Sequence, residues 1–146
     1  MEKYDSLKLE NQLCFPLYAL SKEIVRMYKP LLEKLDLTYT QYITMMVLWE
    51  HNKINVKELG EKLYLDSGTL TPLLKKLETK GFITRKRSRK DERNLDIEIT
   101  SRGLELRDLA LSIPGDIAKC VCVDFQKAKE FYETVHLLLD EISKKQ

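Results

Sequence analysis

At 146 residues the chain has room for one globular core with an extension, and 43% apolar with 33% charged residues is the composition of a folded domain without low-complexity linkers. No apolar run approaches the ~20 residues a membrane span requires, and Met1–Ser6 holds no apolar signal core, so a cytoplasmic protein with no membrane partner is expected. The net charge of +2 conceals an asymmetry: Asp66 to Arg93 holds nine Lys or Arg against four acids, a local +5 that leaves −3 elsewhere, and such a concentration suits an anionic partner.

Leu13, Leu17, Leu20, Ile24 and Met27 recur at helical spacing and predict a first helix over about 8–28. Pro16 cannot bond to the carbonyl of Gln12, which predicts a kink or a fresh helix start beside Cys14. After Lys29-Pro30 a short helical stretch leads to Leu37, and Thr38 caps a helix through about His51. Asn55 caps a short amphipathic helix, Val56–Leu63. Asp66 begins a second, whose stripe Leu70, Leu73, Leu74 and Leu77 ends at Gly81. The pattern is helix, turn, helix.

Phe82–Arg85 and the strictly alternating Leu95–Thr100 read as a hairpin, and Lys86–Arg93 between them is too charged for a core and reads as a wing. Ser101 caps a further helix to about Ser112, Ile113–Asp116 breaks the chain, and a last helix carries a second seam of Ala128, Phe131, Val135, Leu138 and Ile142. The expected fold is mainly α with a small β-hairpin. A winged helix-turn-helix domain spans 37–102, and residues 1–36 and 103–146 form a helical dimerisation region. The two terminal seams exceed what the small middle domain can cover, so the natural cover is a second copy of the chain.

A helix of about 14 residues fits the major groove of duplex DNA, and its N-terminal amides favour phosphate. Asp66, Ser67, Thr69 and Thr71 place small hydrogen-bonding groups at that end, and Lys75 and Lys76 further along suit backbone phosphates. Arg87, Arg89 and Arg93 on the wing can reach a minor groove or its flanking phosphates. Asp91 either holds Arg93 in a fixed orientation or is a solvated loop acid.

Three cysteines, an odd number, argue for reduced thiols rather than a secreted disulfide framework. The segments Leu9–Phe15, Tyr28–Leu32, Leu37–Tyr42, Leu65–Glu78 and Asp91–Asn94 together resemble the MarR transcription regulators and, within them, the organic hydroperoxide-sensing OhrR-type repressors, over nearly the whole chain. The resemblance implies a homodimer on a palindromic, inverted-repeat operator, with repression relieved when an N-terminal cysteine is oxidised. The family's reactive cysteine corresponds to Cys14, and the two tyrosines that hydrogen-bond it correspond to Tyr28 and Tyr39. The chemistry is consistent, because a thiolate attacks a peroxide oxygen and phenol donors stabilise that anion. Phe15, Leu17 and Trp49 would suit an organic hydroperoxide as inducer.

Some members join the N-terminal cysteine to one in the C-terminal region of the other subunit, while others use a small external thiol. Cys120 and Cys122 are the candidate resolving thiols, with plain structural packing as the other reading. Residues two apart on a helix point to different sides, so at most one of them would face Cys14. No cofactor, no metal and no enzymatic activity are expected. Two rival functions remain: a MarR-type regulator induced by a small phenolic ligand, with Cys14 incidental, and a thiol peroxidase. Against the latter stand the lack of a thioredoxin-like strand-helix alternation and of any Cys-x-x-Cys.

Overall fold

In the computed structural model, which describes residues 3–121 and 123–145, two short 3-10 turns at Asp5–Leu7 and Leu9–Asn11 lead into α1, Cys14–Glu33. The helix starts afresh at Cys14, later than the apolar spacing suggested. Pro16 sits in its first turn, where a backbone N–H would lack a partner in any case. Contrary to the expected break after Lys29, α1 continues through Pro30, which forgoes only its own bond to the Arg26 carbonyl. It ends in a paired turn: the Leu37 N–H donates to the Leu32 carbonyl at 3.1 Å and the Asp36 N–H to Glu33 at 3.1 Å, with Asp36 at φ 53°.

Helix α2, Tyr39–His51, begins at the expected Thr38, whose Oγ1 accepts the Gln41 N–H while the Thr38 N–H donates to Gln41 Oε1. Strand β1, Lys53–Asn55, was not anticipated. Asn55 caps α3, Val56–Leu63, through an acceptor bond from the Glu58 N–H at 2.9 Å, and Asp66 caps α4, Ser67–Thr79, from the Thr69 N–H at 2.7 Å. Gly81, at φ 80°, stops α4 as expected, and the Phe82 N–H returns to the Leu77 carbonyl at 3.1 Å.

The hairpin forms from β2, Ile83–Arg87, and β3, Leu95–Ile99, and β1 adds to its far side, giving an antiparallel order β1-β3-β2 with Ile54 and Arg85 both opposite Ile97. Helix α5, Ser101–Ala110, is capped by Thr100, one residue before the expected Ser101. Thr100 Oγ1 accepts from the Gly103 N–H at 3.1 Å and donates to the Gly81 carbonyl at 2.6 Å, because the strand delivers Thr100, not Ser101, in extended geometry. A Cβ on Gly103 would lie 2.2 Å from the Phe82 carbonyl oxygen, so only glycine permits this approach of helix to sheet.

The stretch expected to break the chain is helical instead: α6 spans Ile113–Cys120, with Pro114 in its first turn, where proline is tolerated. Helix α7 spans Phe125–Ser143. Cys120 therefore ends α6 rather than opening the last helix, and the sides of that helix do not decide which cysteine could face Cys14. Cys122 lies outside the described residues.

The chain divides into two compact units, one ending at Ile113 and one beginning at Pro114. The first holds the core, where Leu32, Met45, Leu48, Leu59, Leu77 and Ile97 are almost wholly withdrawn from water, each contributing about 1.5–3 kcal/mol. In the second, no residue of α7 is buried, and Phe131, Leu138 and Ile142 of the expected seam are exposed. Leu13, Leu17 and Leu20 near the start of α1 are exposed as well. Among the described residues no helix is long and apolar enough to cross a membrane, and no cluster of His, Cys, Asp or Glu could hold a metal ion.

Candidate nucleic-acid interface and redox site

The buried stripe Leu70, Leu73, Leu74 and Leu77 turns the opposite side of α4 outward, and Ser67, Thr69, Thr71, Lys75 and Lys76 are all exposed there. At 13 residues α4 is about 20 Å long and matches a major groove about 12 Å wide. Asp66 serves the helix end itself, since its carboxylate accepts the Thr69 N–H, which holds its pKa below the ordinary value. Thr71 donates its hydroxyl back to the Ser67 carbonyl at 2.8 Å, which leaves its oxygen lone pairs outward.

On the wing Arg87, Arg89 and Arg93 are exposed. Asp91 accepts the backbone N–H of Arg93 at 3.0 Å and so orders the wing loop at that residue through the main chain. The wing's tie to α4 comes from a pair that sequence reasoning missed. Glu78 receives the Arg85 backbone N–H at 3.1 Å, Nε at 2.9 Å and a terminal guanidinium nitrogen at 2.8 Å. The Arg85 guanidinium holds the Glu78 carboxyl below its usual range. A carboxylate on the last turn before the Gly81 stop and an Arg on the following strand were the available signal.

Tyr28 on α1 and Tyr39 at the start of α2 pack against each other with ring centroids 4.9 Å apart and ring planes tilted by 58°. Tyr42, buried one turn along α2, lies 5.8 Å from Tyr28 and meets Trp49 edge-on at 6.1 Å. Trp49 donates its indole N–H to the Gly103 carbonyl at 2.9 Å and so anchors α2 to α5. Burial first, and the neighbouring phenols second, push the hydroxyls of Tyr28 and Tyr42 above the ordinary phenol range, so both remain O–H donors. Among the described residues the hydroxyls of Tyr28 and Tyr39 have no hydrogen-bond partner in the chain.

Cys14 is a free, exposed thiol at the first position of α1. Fourteen residues of unbroken helix separate it from Tyr28, about 21 Å at 1.5 Å per residue, well beyond a phenol's reach. The chain thus brings the two tyrosines together but does not bring its own Cys14 to them. Cys120 is also free and exposed.

An exposed reading helix behind a helix-turn-helix core, continued by a basic hairpin, defines a winged-helix DNA-binding regulator. A family model described as "Transcriptional regulator SarA/Rot" matches residues 26–108. The organic hydroperoxide resistance transcriptional regulator of Bacillus subtilis (strain 168) is 49% identical over 143 residues, 98% of this chain and 97% of that protein. Among solved structures, reduced AbfR bound to DNA, a protein of Staphylococcus epidermidis, shares 32% identity with a TM-score of 0.78 over 97% of this chain and 99% of that one. Disulfide-formed AbfR shares 33% identity with a TM-score of 0.65 over 94% and 96%.

The chain belongs to the MarR family of transcriptional regulators, in its OhrR-type branch. It is a DNA-binding repressor of the winged helix-turn-helix type and not an enzyme.

Proposed function

We propose that the reduced chain binds an inverted-repeat operator as a two-fold dimer and releases it when an organic hydroperoxide oxidises Cys14. The observation that carries this reading is the separation along α1. Tyr28 and Tyr39 present unpartnered hydroxyls at one end, and Cys14 stands about 21 Å away at the other. Two copies of α1 crossing antiparallel about a two-fold axis would bring each Cys14 to Tyr28 and Tyr39 of the partner subunit. The exposed apolar residues of α1 and α7 supply the surface such a dimer would bury, in keeping with a dimerisation region formed by 1–36 and 103–146.

In this reading Ser67, Thr69 and Thr71 meet base edges, and Lys75, Lys76, Arg87, Arg89 and Arg93 meet phosphates or the minor groove. Asp66 and Asp91 hold the backbone that presents them. The thiolate of Cys14 attacks the terminal oxygen of the hydroperoxide. The O–O bond breaks, the alkoxide takes a proton and leaves as alcohol, and the sulfur becomes a sulfenic acid. Condensation with a second thiol forms a disulfide and releases water. Loss of the thiolate frees both tyrosines, and the α1–α2 corner that carries Tyr39 relaxes. The spacing of the two reading heads changes, and simultaneous engagement of both half-sites is lost. Phe15 and Leu17, exposed beside Cys14, favour an alkyl or aryl peroxide over hydrogen peroxide.

Mobility-shift titration on a duplex spanning the promoter of its own coding sequence, with and without cumene hydroperoxide, tests the reading. Wild type should lose affinity on oxidation, and Cys14→Ser should bind and stay bound. Release of Cys14→Ser by peroxide, or by a phenolic ligand alone, contradicts it. Non-reducing electrophoresis separates the two disulfide routes: a covalent dimer implicates Cys120 or Cys122, and a monomer carrying a small adduct implicates an external thiol.

A further inference from the structure

At the C-terminal end of α4, Lys80 crosses to a different part of the fold. Its ammonium donates to the Asp36 carbonyl oxygen, to Gln41 Oε1 at 3.3 Å and to the Asp36 carboxylate at 3.3 Å. Those acceptors are the corner between α1 and α2. Asp36 occupies the left-handed position that closes α1, where glycine is the usual residue. Gln41 is the buried member of the capping box that opens α2, and its amide oxygen already accepts the Thr38 N–H. Tyr39 follows Thr38 directly and packs tilted against Tyr28 across the same corner. One side chain on the reading helix therefore grips both halves of the joint that sets the angle between the helices bearing the two tyrosines.

We propose that Lys80 is a positioning residue that couples the α1–α2 corner to the reading helix, so that the state of either is felt by the other. The ionic part is minor, because the Asp36 carboxylate is 81% exposed and surface pairs contribute little. The coupling lies in the two neutral acceptors, which fix where the ammonium can sit and so where the end of α4 can sit. Linkage is reciprocal: if the corner controls α4, DNA held on α4 must quiet the corner.

That reciprocity gives a test independent of the redox reading. Amide hydrogen exchange is followed at Thr38 and Gln41 in the full chain, free and bound to the promoter duplex, for wild type and Lys80→Met. The variant keeps the aliphatic stem, and Gln41 keeps its bond from Thr38, so the fold should survive; Lys80→Arg serves as the conservative rescue. In wild type, DNA should slow these amides by at least roughly fivefold, the low end for coupling between sites. In Lys80→Met that factor should fall below about twofold while α4 itself stays protected by DNA, and Lys80→Arg should recover part of it. A merely structural Lys80 would raise exchange equally in free and bound protein and leave the DNA-induced factor unchanged, which overturns the proposal.

A second arm rests on the function proposed above: the ratio of oxidised to reduced Kd should shrink several-fold in Lys80→Met with the reduced Kd nearly unchanged. If wild type shows no redox response, that reading fails and the exchange arm alone decides the role of Lys80. If wild type responds and Lys80→Met responds equally, the coupling fails.

Discussion

Replacing Glu78 with Gln removes the charge from a carboxylate that takes three hydrogen bonds from Arg85 and fixes the wing strand to the reading helix. Side-chain exposures of 37% for Glu78 and 22% for Arg85 mean that water screens part of the interaction. Exposed pairs are worth up to about 1 kcal/mol, and the multidentate geometry places this one at the upper end, so Glu78→Gln should cost about 1 kcal/mol at pH 7. With a urea slope of about 1–3 kcal/mol/M the midpoint should fall by about 0.3–1 M without a change in slope.

The pH dependence follows from the depressed Glu78 pKa. The folded carboxyl titrates below its unfolded value, so its contribution is fully present above the unfolded carboxylate range and disappears as pH falls through the lower, folded value. A protonated Glu is neutral and close in shape to Gln. Urea midpoints of wild type and Glu78→Gln should therefore differ at pH 7 and converge under acid. A gap that stays constant into the acid range, or no gap at pH 7, would refute the attribution to this ion pair.

The close approach of α5 to the sheet predicts that Gly103→Ala, whose Cβ would meet the Phe82 carbonyl at 2.2 Å, lowers stability by about 1–3 kcal/mol in thermal melts. Thr100→Val loses both the cap of α5 and the bond to Gly81, and should cost about 1–2 kcal/mol by the same measurement. If Lys75 and Lys76 meet phosphates, Lys75→Ala with Lys76→Ala should reduce the slope of log affinity against log salt by about 0.9 for each phosphate no longer neutralised, with little change in preference among operators.

Features that local chemistry decides could be read from the sequence. Thr38, Asn55 and Asp66 cap the helices they were expected to cap, and Gly81 stops α4, because a short side chain or a missing Cβ settles a helix end by itself. Features decided by distant partners could not. Lys53–Asn55 is a strand only because β3 lies beside it, about 40 residues further along the chain, and Thr100 caps α5 because the strand before it sets its backbone. Pro30 and Pro114 misled in one way: each looks like a break, yet one lies within a helix whose remaining bonds hold and the other in a first turn. At the candidate site the residue types were legible, and the proximity of Tyr28 to Tyr39 follows from the α1–α2 corner. The distance of Cys14 from them was less so, since it rests on the helix running straight from Cys14 past Pro16 to Tyr28, where a kink was expected.

In the proposed dimer each Cys14 is completed by tyrosines of the other subunit. This arrangement is tested most directly by a mixed dimer of one Cys14→Ser subunit and one Tyr28→Phe, Tyr39→Phe subunit, with the rate of sulfenic acid formation by cumene hydroperoxide as readout. Neither variant homodimer holds a complete site, whereas the mixed dimer holds one, with Cys14 from one subunit facing both tyrosines from the other. Its single Cys14 should react at close to the wild-type rate per site; a rate no faster than that of the double-Phe homodimer would contradict the account.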